Sequence, residues 1–166
     1  MTKGNSSESR CALCQQPATL RQSHIIPEFL YTSLYDGNHR FLQTSTDPAV
    51  QTKSRPTGLY ESLLCAPCES RLGGWESYAA RVLNGGVELE FQNEPGGFVV
   101  HGVDYPVFKL FGISLLWRAG VSNRAEFSDV QLGAHEETLR KMLLDKDPGR
   151  YWQYGFSIVF PPEPKA

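Results

Sequence analysis

A chain of 166 residues with 40% hydrophobic content is long enough to bury a core, on the order of 70% of the surface its unfolded form would expose. Its net charge of −2 and pI near 6.1 exclude a global positive field that would draw in nucleic acid, so any such binding must rest on a local patch. The longest uncharged apolar run, Leu110 to Trp117, falls far short of the about 20 residues that span a bilayer, and no membrane partner is expected.

Residues 1–10 have no apolar core and no signal-peptide pattern, and are expected to form a disordered lead-in. Cys11-Ala12-Leu13-Cys14 is the first of two hooks, and Cys65-Ala66-Pro67-Cys68 is the second. All four cysteines of the chain sit in these hooks. Each hook offers two thiolates from one tight turn, and two hooks complete a tetrahedral structural zinc site with Cys11, Cys14, Cys65 and Cys68 as ligands. Paired Cys-x-x-Cys spacing favours metal over a disulfide framework or a redox dithiol, which points to a reducing cytoplasm.

Pro17 to Ile26 reads as a turn and a short strand, with His24 near its end. Pro27 then opens a predicted helix over Glu28 to Tyr35, because proline costs no hydrogen bond at the first helical position and Phe29, Leu30 and Leu34 recur at helical spacing. Residues 38–58 are polar and contain two prolines, so they read as a long loop whose Arg40, Lys53 and Arg55 are either solvated or available to phosphate. Leu59 to Leu64 leads into the second hook, and Glu69 to Asn84 is helical, with Gly73-Gly74 expected to kink or break it.

Val87 to Phe91 and Phe98 to Val103 flank the turn cluster Asn93 to Gly97 and predict a hairpin. Pro106 to Ala119 is apolar nearly all round, which predicts a buried helix whose Lys109 and Arg118 reach from its ends for water or an anion. Gly133 to Asp145 predicts an amphipathic helix with Leu139, Met142 and Leu143 inward and Glu136, Glu137, Arg140 and Lys141 outward. Tyr151 to Phe160 is aromatic and β-branched enough for a final strand, and residues 161–166 read as a disordered tail. The expected class is α+β: a zinc-stabilised module over 11–84, and a C-terminal helical part with a β-hairpin over 85–160 sharing one core with it.

A zinc knuckle at Cys11 and Cys14, the run Ser23-His24-Ile25-Ile26-Pro27, and Leu63-Leu64-Cys65 to Cys68-Glu69 opening a helix together resemble the HNH (His-Me finger, ββα-metal) endonuclease family in its treble-clef form. The likeness covers roughly the N-terminal half. The stretch from Phe108 to Glu137 also resembles the second half of uncharacterised bacterial proteins that carry such a module. The resemblance implies a metal-dependent endonuclease that hydrolyses DNA, more than RNA, with a role in bacterial defence, His24 as general base, and a second divalent cation (Mg, Mn or Ni) near it. Hydrolysis of a phosphodiester needs a deprotonated water and a cation against the charge that develops on phosphate, which a neutral imidazole and an oxygen-ligated metal supply.

Ser23 stands where that family carries Asp or Glu, and a neutral hydroxyl is a weak ligand for a hard cation. Glu69 stands where Asn or His follows the second hook. Either Glu69 supplies the missing carboxylate, with Glu76 seven residues on, or it favours the positive helix N-terminus. The alternative function is therefore a non-catalytic zinc-stabilised module that binds nucleic acid or protein. A homodimer is left open, and His39, His101 and His135 are expected to be incidental.

Overall fold

The computed structural model describes residues 9–45, 48–156 and 158. Residues 1–8 of the expected lead-in and the tail over 161–166 lie outside the described residues, whereas Ser9 and Arg10, expected to be disordered, are held to the first hook by the Ala18 N–H on the Ser9 carbonyl and by a bridge from Arg10 to Pro17. The fold is α+β, with three α-helices and three separate two-stranded antiparallel sheets among the described residues. None of the described helices is long and apolar enough to cross a membrane.

The first sheet organises the N-terminal half. Strand β1 (Leu20–His24) pairs antiparallel with β4 (Tyr60–Cys65), from Leu20 opposite Cys65 to His24 opposite Tyr60. Helix α1 (Ala66–Leu83) follows β4 without a linker, Pro67 lying in its first turn where its missing N–H costs nothing. The order knuckle, strand, strand, helix is the ββα order expected of a treble clef. It places His24 at a strand end and Glu69 in the first turn of α1.

Three expected elements of the N-terminal half differ. Residues 28–35 form two short 3-10 turns, Glu28–Leu30 and Thr32–Leu34, in place of one helix. Only Phe29 of the three apolar residues faces the core, stacking near Phe111, whereas Leu34 is 58% exposed, so there is no apolar stripe to hold a longer helix. The loop over 38–58 contains a hairpin of β2 (Phe41–Gln43) and β3 (Lys53–Arg55), which Phe41 anchors by packing on Tyr31 at 4.9 Å between ring centroids. Helix α1 runs unbroken through Gly73 and Gly74, since Leu72, Trp75 and Ala79 bury one face and that packing outweighs the glycine penalty.

The expected hairpin forms with its first strand shifted: β5 (Glu90–Glu94) begins three residues past Val87 and takes in Asn93 and Glu94 of the expected turn, and with β6 (Gly97–His101) it leads into α2 (Tyr105–Val121), capped by the Asp104 carboxylate accepting from the Val107 N–H. Leu110, Phe111, Ile113 and Trp117 of α2 meet Leu72 and Trp75 of α1 and Leu139 and Leu143 of α3 (His135–Asp145) in one core that also takes in Cys11, Leu13 and Ile25. Residues 151–154 are turns and bends and 155–156 carry no regular structure, so they do not form the expected strand; of its remainder, only Ile158 lies among the described residues.

Three cations are placed differently from expectation. Lys109 is 1% exposed and donates to the Arg150 carbonyl at 2.6 Å, and Arg118 is equally buried. Arg140, expected on the outer face, folds inward to donate to the Leu13 carbonyl at 2.6 Å while Glu137 grips its other side. Their apolar stems reach along the core while each head finds a carbonyl or carboxylate, partners that lie far away in sequence.

Candidate functional site

The two hooks converge. The first is a tight turn in which Cys11 N–H donates to Gln16 (3.0 Å) and Gln15 N–H returns to Cys11 (2.8 Å), with Gln15 in the left-handed region at φ 60°. The second straddles the junction of β4 and α1, and the Ala12 N–H binds the Leu63 carbonyl at 3.1 Å to lock one against the other. All four Sγ atoms lie within 4.8 Å of one another. A zinc tetrahedron with Zn–S of about 2.3 Å has edges of about 3.8 Å. Cys14 and Cys65 stand 3.7 Å apart, which fits such an edge and is far too long for a disulfide.

The thiols sit in unequal surroundings. Burial pushes the Cys68 thiol up, and the neighbouring Cys65 thiol adds to the rise. At Cys11 burial works the same way, but backbone N–H groups of Cys65, Cys14 and Leu13 outweigh it and bring the thiol down to about 7. A metal ion bound by the four sulfurs displaces the remaining thiol protons. Four thiolates leave no open position, so this centre is structural.

Beside it, β1 delivers Ser23 and His24. Ser23 is fully buried and its hydroxyl donates to the Glu69 carboxylate in a short hydrogen bond. The serine and the helix carboxylate singled out in the sequence are therefore direct partners. Glu76 does not join them, because its carboxylate pairs with Arg118 at 2.6 Å. Among the described residues, the four cysteines are the only group of three or more His, Cys, Asp or Glu side chains gathered closely enough to share an ion.

His24 keeps a side-chain exposure of 37%, and its Nε2 lies 3.1 Å from the Glu28 carboxylate. The ring stands edge-on to Tyr60, 6.0 Å between centroids. Glu28 also accepts from the Tyr35 hydroxyl at 2.5 Å, and this bond pushes the Tyr35 hydroxyl up to about 12. On the backbone side, Arg118 donates to the His24 carbonyl at 2.6 Å and is itself steadied by the Ser114 carbonyl and hydroxyl.

Glu28, Tyr35 and Arg118 were not legible as site residues. The four-residue step from His24 to Glu28 was an available signal, whereas Arg118 lies 94 positions away. Of the other histidines, His39 adjoins this constellation by stacking on Tyr35 at 4.0 Å between ring centroids, whereas His101 contacts Gln92 and His135 contacts Tyr154. No protein-family model, curated protein or solved structure matches the chain.

Proposed function

We propose that the chain is an HNH-type, metal-dependent endonuclease that hydrolyses DNA phosphodiester bonds, with His24 as general base. The observation that carries this reading is the setting of His24: half-open to solvent at the end of β1, with Nε2 on Glu28 and its carbonyl on a buried arginine. A neutral imidazole with its proton on Nε2, toward Glu28, presents Nδ1 as the acceptor. Nothing among the described residues hydrogen-bonds Nδ1. Nδ1 takes the proton of an attacking water as that water's oxygen bonds to phosphorus and the ester P–O bond on the opposite side breaks; the leaving sugar oxygen takes a proton from solvent, and Glu28 stabilises the imidazolium that results.

The reading includes a second cation of the Mg type, which keeps several waters and uses one or two protein oxygens together with substrate phosphate. Glu69 is the residue that would hold it. Such a cation would neutralise the charge developing on the phosphate. The defence role and the DNA preference follow from the family resemblance alone.

The alternative is a non-catalytic zinc-stabilised module, and one observation favours it: the Ser23 hydroxyl already satisfies the Glu69 carboxylate, and no third acidic or histidine ligand closes on it among the described residues. Incubation of purified, zinc-loaded protein with supercoiled plasmid and Mg²⁺, Mn²⁺ or Ni²⁺ separates the two. Cleavage that disappears in a folded His24→Ala variant supports the nuclease. No cleavage by the parent protein with any of the three ions supports the binding module.

A further inference from the structure

The β5–β6 hairpin differs from the other two sheets in how little covers it. Its apolar residues are open, with Phe91 61% and Phe98 60% exposed. The two rings touch edge to face at 5.4 Å between centroids. Pairing of Phe91 with Val100 puts both on one face, and that face overhangs a cleft of about 500 Å³ floored by Leu83, Tyr105, Phe108 and Phe156. The cleft is a continuous apolar surface built from α1, α2 and the chain after α3.

The opposite face of the same strand is acidic. Glu90 and Glu94 alternate with Phe91 along β5, and Glu88 precedes them. Residues 85–104 contain Glu88, Glu90, Glu94 and Asp104 and no lysine or arginine. Among the described residues the outer edge of β5 pairs with nothing, since its sheet has only two strands. An isolated two-stranded sheet is marginal in water, and an exposed apolar edge invites another strand.

We infer that this edge docks a segment of a partner protein that adds to β5 as a third strand and alternates apolar with basic residues. Successive side chains of a strand point to opposite faces, so the apolar set continues the Phe91 face over the cleft while the lysines or arginines lie beside Glu90 and Glu94. The same carboxylates select against two other occupants. A second copy pairing through its own β5 would bring like charges together, and nucleic acid would meet a uniformly acidic rim.

The test uses the full chain and two nine-residue fluorescent peptides, one alternating Arg with Val and one alternating Glu with Val, followed by anisotropy at low and raised salt. The Arg/Val peptide is expected to bind at least tenfold tighter than the Glu/Val peptide and to weaken as salt rises. The double charge swap Glu90→Lys with Glu94→Lys should invert that preference, which also shows that the variant is folded. Methylation of the Arg/Val peptide's amides on one edge should abolish its binding, because strand addition uses main-chain hydrogen bonds. Equal binding of both peptides, an unchanged preference in the swapped variant, or full affinity of the methylated peptide would overturn the inference. So would self-association, read by sedimentation, that Phe91→Asp removes, since it would make a second copy the occupant.

Discussion

Arg118 and His24, 94 residues apart, are joined by a 2.6 Å hydrogen bond from the guanidinium to the His24 carbonyl. The same guanidinium nitrogen pairs with Glu76 at 2.6 Å, so a single buried side chain of α2 ties the end of β1 to the middle of α1. The strand end that presents the proposed base is thereby fixed by the C-terminal half of the chain. Arg118→Met should cost roughly 3 kcal/mol in denaturant unfolding, because it strips a partly buried carboxylate and a carbonyl of their partner. Adding Glu76→Gln should recover part of that loss; a double variant no more stable than the single would show that the pair does not act as a unit.

The four-cysteine centre yields a stoichiometric expectation. Elemental analysis should give one zinc per chain, and Cys65→Ser or Cys11→Ser should abolish cooperative unfolding, since structural zinc contributes about 10–16 kcal/mol in small modules. A well-folded protein free of zinc would contradict it. Strong chelators should lower the thermal midpoint of the parent protein in proportion to the zinc removed.

Gly73 and Gly74 offer a test in the opposite direction. Both lie inside a continuous α1, and a Cβ built at either meets nothing within 4 Å. Gly73→Ala and Gly74→Ala should each stabilise by about 1 kcal/mol in chemical denaturation. A loss of stability at both positions would mean that the chain needs a break there.

Much of this framework was legible in the sequence because its signals are local. Two Cys-x-x-Cys hooks, the alternation of Val87 to Phe91, and the all-apolar run of α2 each fit in a short window. What escaped depends on partners far along the chain. Lys109 and Arg118 looked like solvent-seeking helix ends, yet each reaches a carbonyl brought close only by tertiary packing. The glycine pair suggested a break because propensity is read without the core contacts of Leu72 and Trp75. Ser23 and Glu69 were marked separately as departures from a pattern, and the antiparallel pairing of β1 with β4 makes them partners.

The contact between His24 and Glu28 separates orientation from stability. Glu28→Gln should lower kcat about 10–100-fold with KM nearly unchanged, because a neutral amide steadies the imidazolium poorly, whereas loss of the base itself costs about 10²–10⁴-fold. Both side chains are partly exposed, so the thermal midpoint should move little. A Glu28→Gln variant with full kcat would remove Glu28 from the proposed mechanism.

The most direct measurement is chemical rescue of His24→Gly. With the variant's fold and zinc content matched to the parent, plasmid cleavage in Mn²⁺ should be lost and should return in proportion to added imidazole, which would stand in for the missing side chain. Cleavage that stays absent at every imidazole concentration, or a His24→Gly variant as active as the parent, would contradict His24 as the general base.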